Sequence, residues 1–127
     1  MRYIAALALA LLAGFALGAG MIQGLHAQAG KTPAYAIAEV EVTDPPAYQA
    51  YLAKAIDSLK PHNARIIVRS KPDLKEGTPA QGNIVITSFD SLADAEKWYS
   101  TPPYKDLIAE RQKSAKTRFY IVEGVWQ

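Results

Sequence analysis

Hydrophobic and polar positions alternate from Ala34 to Thr43. Ala36, Ala38, Val40 and Val42 share one face, and Tyr35, Ile37, Glu39 and Glu41 share the other, which is the period of a β-strand. The period then changes. Asp44-Pro45 supplies a helix N-cap followed by a proline at the first helical position, where its missing N–H costs nothing. Behind it Tyr48, Tyr51, Leu52, Ala55, Ile56 and Leu59 recur at three- and four-residue steps and predict an amphipathic helix, which Pro61 and Asn63 end. Ala64 to Arg69 predicts a short second strand, with Ile66 and Val68 opposite Arg65, Ile67 and Arg69. Lys71 to Gly82, carrying Pro72, Gly77, Pro79 and Gly82, predicts a loop, and the β-branched run Ile84 to Phe89 a third strand. Ser91 opens a second helix with Asp94 in a capping-box-like place, and Leu92, Ala95, Trp98 and Tyr99 form its apolar side. Ser100-Thr101-Pro102-Pro103 breaks and restarts the chain into a further helix with the stripe Tyr104, Leu107, Ile108 and Arg111. Thr117 to Val125 predicts the last strand, with Phe119 and Ile121 facing one way and Tyr120 and Val122 the other.

The order β-α-β-β-α(α)-β is the split β-α-β pattern of a ferredoxin-like domain. Its class is α+β, with helices covering one face of an antiparallel sheet. The uncovered face is the informative one. Tyr35, Ile37, Glu39, Glu41, Arg65, Ile67 and Arg69 would share it, half apolar and with two acids balancing two bases. A solvent face does not normally carry so many isoleucines and tyrosines, whereas a second sheet packed against it would use them. A homodimer through this face is therefore expected, with the acidic and basic sets forming interface salt bridges or, alternatively, an acid/base constellation.

Ahead of the first strand the pattern is different in kind. Met1-Arg2-Tyr3 is short and positively charged, Ile4 to Leu17 is an apolar run, and Ala27-Gln28-Ala29 is an A-x-A cleavage pattern. Residues 1–29 are expected to be a signal peptide cut between Ala29 and Gly30, residues 30–33 a short linker and residues 34–127 the domain. The mature protein would then be periplasmic or secreted. The rival is an uncleaved anchor over Ile4 to Ile22, which Gly14, Gly18, Gly20 and Gly24 weaken. No stable membrane anchor is expected after cleavage.

Composition narrows the chemistry. There is no cysteine, which removes disulfides, thiolate nucleophiles, cysteine zinc sites and a lipoprotein anchor together. A net charge of +2 is too balanced for a nucleic-acid partner recognised through its phosphates. No ligand spacing for a metal, no phosphate-cradling glycine loop and no nucleophile elbow is present, so neither a metal nor a cofactor is expected.

Val42-Thr43-Asp44-Pro45 with Tyr48, the strand Arg65-Ile66-Ile67-Val68-Arg69, Glu76-Gly77, Phe89-Asp90-Ser91-Leu92, Trp98-Tyr99-Ser100, Pro103-Tyr104, Arg111 and Val122-Glu123-Gly124 are a distinctive set. With them the chain resembles domain-of-unknown-function family 1330 over roughly Tyr35 to Val125. The resemblance implies a dimeric α/β barrel, two ferredoxin-like subunits with their sheets face to face. That fold is shared by cofactor-free monooxygenases, haem-degrading and haem-binding proteins, dehalogenating and isomerising enzymes and ligand binders, so fold alone selects no activity. The chain departs from the family in having His62-Asn63-Ala64 where Tyr-Gly-Gly is usual. Asn83 and Ser88 also stand where a basic and an acidic residue are common.

Ligand-pocket candidates are Tyr48, Tyr51, His62, Trp98, Tyr99, Tyr104 and Arg111. His62 is either a general base or a histidine settled at a helix C-terminus. The aromatic residues either line an apolar pocket between helices and sheet or are core, and their hydroxyls need partners in both cases. Arg111, a charge on an apolar stripe, either binds a ligand carboxylate or pairs with an acid such as Glu123. Three functions are compatible with these residues. The first is a small-molecule binder for an apolar or aromatic ligand, the second a cofactor-independent monooxygenase or isomerase on an aromatic or quinone-like substrate, and the third a purely structural interaction module. Whether the protein is an enzyme is left open by the sequence.

Overall fold

In the computed structural model, which describes residues 31–126, the alternating segment Ala34–Val42 is strand β1. Helix α1 follows over Pro45–Leu59, with the Asp44 carboxylate accepting from the Ala47 N–H at 3.3 Å as its cap. A 3₁₀ turn, Lys60–His62, carries the chain to Asn63, whose φ of 50° places it in the left-handed region. Asparagine tolerates that conformation better than most side chains, which explains how His62-Asn63-Ala64 makes the turn without glycine. Strand β2 is Arg65–Ser70 and β3 is Asn83–Phe89. Helix α2, Leu92–Ser100, begins at Ser91, whose hydroxyl accepts from the Asp94 N–H and donates to the Asp94 carboxylate. Thr101 is extended, as a residue before proline prefers, and so ends α2 and starts α3, Pro102–Ser114. Strand β4 is Ala115–Glu123. The predicted signal peptide lies outside the described residues. Among those residues no helix is long and apolar enough to cross a membrane.

The sheet order is β2-β3-β1-β4 with every neighbouring pair antiparallel, so the fold is ferredoxin-like and α+β as the element order predicts. Ala34, Ala36, Ala38 and Val40 are buried beneath the helices, against Tyr48, Tyr51, Leu52, Ala55 and Leu59 of α1, Ala95 and Trp98 of α2 and Tyr104 and Leu107 of α3. The small alanines of β1 let these aromatic rings approach the sheet, so bulk comes from the helices rather than the central strand. Ile56 departs from its predicted stripe and is exposed. Gly82, with φ of 76°, enters β3 where a Cβ would lie 2.1 Å from the Val40 carbonyl oxygen, so only glycine fits.

Strand β2 breaks the expected alternation. Arg65 pairs with Ser88 and Ile66 with Thr87, but the register then shifts, and Val68 pairs with Ile86 and Arg69 with Val85. Ile67 is the extra residue of a β-bulge. The bulge turns Val68 onto the open face and Arg69 onto the helix side, the reverse of the predicted faces.

Candidate functional site

The chemistry is concentrated between α1, α3 and the sheet. Tyr104 and Arg111 are seven residues apart on α3, two helical turns, and therefore share a face. Arg111 donates from Nη1 to the Tyr104 hydroxyl at 2.7 Å, and that hydroxyl is 2.9 Å from the Tyr51 hydroxyl of α1. All three side chains are buried. Burial pushes the Tyr104 phenol far above its usual range, although Arg111 beside it pulls the other way. Burial likewise raises Tyr48, so both phenols stay neutral at physiological pH. Arg111 keeps its charge at any ordinary pH. The Phe119 ring lies under its guanidinium carbon at 4.9 Å, a cation–π contact that offers no hydrogen-bond acceptor along the ring plane.

Trp98 packs on Tyr104 with centroids 3.9 Å apart and the rings tilted by 37°, and donates its indole N–H to the Ser58 hydroxyl at 3.0 Å. Its polar atom is thereby used inside the protein, and its role is to hold Tyr104 in place. Tyr99, half-buried, packs on Tyr104 and Phe119.

Two spaces adjoin this cluster. A niche of about 40 Å³ is walled by Tyr51, Thr87, Trp98, Tyr104, Arg111 and Phe119 together with small residues of β1. A groove of about 360 Å³ runs between α1 and the sheet edge, past Pro45, Gln49, Arg69 and Asn83. Val40, Tyr48, Leu52 and Val85 are walls of both. A larger hollow, about 670 Å³, lies within the β2–β3 loop around Leu74. Its walls are almost all exposed loop residues and include none of the aromatic cluster, so size alone does not mark the site.

Of the pocket candidates, Tyr48, Tyr51, Trp98, Tyr104 and Arg111 come together, and Tyr99 backs them. His62 does not join: it is half-buried in the 3₁₀ turn and walls neither space. Arg111 is not paired with Glu123, which is exposed at the end of β4, and no carboxylate lies within 4.0 Å of it among the described residues. The i,i+7 relation to Tyr104 was the signal for its true partner. Arg69 moves from the expected dimer face to the groove because of the bulge. Thr87, Asn83, Val85 and Phe119 are site walls that alternation alone could have supplied, since each lies on the helix side of its strand. No group of three or more possible metal ligands occurs among the described residues.

The open face forms a band. Val68, Ile86, Ile37 and Tyr120 lie in one row across all four strands, flanked by Tyr35 with Val122 and by Ile84. Glu39 pairs at 3.5 Å with Arg118 on the neighbouring strand, not with Arg65 or Arg69, and Glu41 stands opposite Lys116.

A family model described as a domain of unknown function, DUF1330, matches residues 33–125. The chain belongs to this family. Among solved structures, a similar fold is seen in a Rhodopseudomonas palustris protein of unknown function at 15% identity and a TM-score of 0.61, over 76% of this chain and 85% of that one. SnoaB, a cofactor-independent oxygenase from Streptomyces nogalater, matches at 7% identity and a TM-score of 0.56, over 76% and 96%. A Bacteroides thetaiotaomicron protein described as a possible oxidoreductase matches at 14% and 0.51, over 73% and 98%. These likenesses are of fold. No curated protein matches the chain in sequence.

Proposed function

We propose that the mature protein is an exported homodimer that binds a small apolar or aromatic molecule between α1 and the sheet. The observation that carries this reading is the groove of about 360 Å³, walled by Val40, Val42, Leu52, Val85 and Tyr48, lying against a niche whose polar walls are Tyr51, Thr87, Tyr104 and Arg111. Binding sites of small molecules are commonly apolar concavities with a few convergent polar groups. The dimer rests on the apolar row of the open sheet face, which a second copy would cover with an interface of roughly 1,200–2,000 Å². Export rests on the charged start, apolar run and A-x-A pattern of residues 1–29.

Native mass spectrometry of protein purified from its own source tests the binding. A dimer carrying a co-purifying small molecule is the expected result, and a clean dimer that takes up no aromatic compound would instead mark an interaction module. The fold shared with SnoaB supports the second reading, a cofactor-independent oxygenase or isomerase on an aromatic or quinone-like substrate. Oxygen uptake with phenols and quinols distinguishes it from a binder. Export has its own test. Intact mass of the secreted protein should correspond to a chain starting at Gly30, and a leader still attached would revive the anchor.

A further inference from the structure

Arg111 is only 5% exposed, yet no acid among the described residues pairs with its charge. A buried guanidinium is ordinarily paired with a carboxylate, because an uncompensated charge in a low-dielectric interior is costly. Here one nitrogen, Nη1, is spent on the Tyr104 hydroxyl, and Nε is sealed from solvent with no acceptor at all. Arg111 is also one of the walls of the 40 Å³ niche, so this uncompensated side chain borders a space as well as packed neighbours. That volume holds about one small polar group, since a water takes about 30 Å³ of liquid. Neither the niche nor the adjoining groove has an aspartate or glutamate in its walls, whereas each has one arginine. The second, Arg69, stands in the groove through the bulge in β2.

We infer that the ligand is an organic acid. Its carboxylate occupies the niche beside Arg111, balancing the charge that no acid answers among the described residues, with Tyr51 and Tyr104 as the other polar walls. Its apolar body lies in the groove along Tyr48, Leu52, Val40 and Val85, and Arg69 draws the anion toward the groove. This rests on the proposed function, the groove as a small-molecule site, and adds the charge of its occupant.

The probes are phenylacetate and 2-phenylethanol, which share an apolar body and differ in charge, titrated at pH 7 with chemical shifts of the cavity residues as the readout. Wild-type protein should bind phenylacetate at least ~10-fold more tightly than the alcohol, a preference of the size expected of a charge-assisted hydrogen bond. Arg111→Met should abolish the preference, weakening the acid far more than the alcohol, and Arg111→Lys should restore part of it. Arg69→Met should lower the acid's affinity by a smaller factor. Equal binding of acid and alcohol by wild type would overturn the acid while leaving the groove as a site. Binding of neither probe at about 10 mM, on the order of ten times a millimolar Kd, would overturn both the acid and the groove. The wild-type comparison decides even if Arg111→Met fails to fold.

Discussion

Tyr104→Ala should lower the unfolding free energy by about 3–5 kcal/mol in a urea melt, the cost of truncating a large aromatic residue in a packed core. Tyr104 is 0% exposed and packs against Trp98 with the ring centroids 3.9 Å apart and the rings tilted by 37°, so its removal opens a void against the small alanines of β1. Two polar groups lose a partner at the same moment: Nη1 of Arg111 and the Tyr51 hydroxyl. Unmet buried polar groups add to the cavity cost, which places the expected loss toward the upper end of that range. Tyr104→Phe separates the contributions. It keeps the ring and removes only the hydroxyl, so it should cost about 1–3 kcal/mol. The midpoint should move while the slope against urea stays the same, as for a change in stability without a change in compactness. An alanine variant within 1 kcal/mol of wild type, on the order of a surface substitution, would mean that Tyr104 is a loosely held pocket wall rather than a packed part of the core.

The second large effect is on assembly. Ile37→Asp should weaken the proposed homodimer by about 3–5 kcal/mol, as leaving a buried charge without a partner does. Ile37 is the central position of the open face: it pairs with Ile86 on one side and Tyr120 on the other, and Val68 continues the row beyond Ile86. Each protomer of a symmetric pair would carry the substitution, so the charge enters the interface twice. The protomer itself tolerates it, because Ile37 points away from the helix-covered core. Sedimentation at micromolar concentration should show monomers with an unchanged far-ultraviolet spectrum. Persistence of the dimer under those conditions would place the interface on another surface.

Most of the architecture could be read from local pattern because the signals were strong and mutually consistent. The alternation of β1, the Asp44-Pro45 cap and the Ser91–Asp94 pair each have one structural solution, and the chain adopts it. The site was legible as a set of residue positions but not as a set of partners. The apolar stripes brought Tyr51, Tyr104 and Arg111 inward, yet a charge on such a stripe gives no indication of which group answers it. Glu123 was a reasonable acid in sequence, and it is excluded by its place at an exposed strand end. His62 was prominent as a titratable side chain in a turn, but prominence in composition carries no information about distance from a cavity. The faces of β2 could not be read from the chain because a bulge leaves no mark on the hydrophobic pattern. Ile66, Ile67 and Val68 are three consecutive apolar residues, and any one of them can be the residue left out of the pairing.

That omission also bears on how the chain tolerates changes in length. Pairing with β3 determines the face of Arg65 and Ile66 before the bulge and, separately, that of Val68 and Arg69 after it. Ile67 stands outside both counts. A relative lacking this one position would run through β2 without irregularity, keeping its valine on the open sheet and its arginine in the groove. A single-residue gap belongs at position 67 when such sequences are compared, and the two halves of the strand should be read in frames offset by one. Evolution can therefore lengthen or shorten this strand by a residue without exchanging what the two faces of the sheet display.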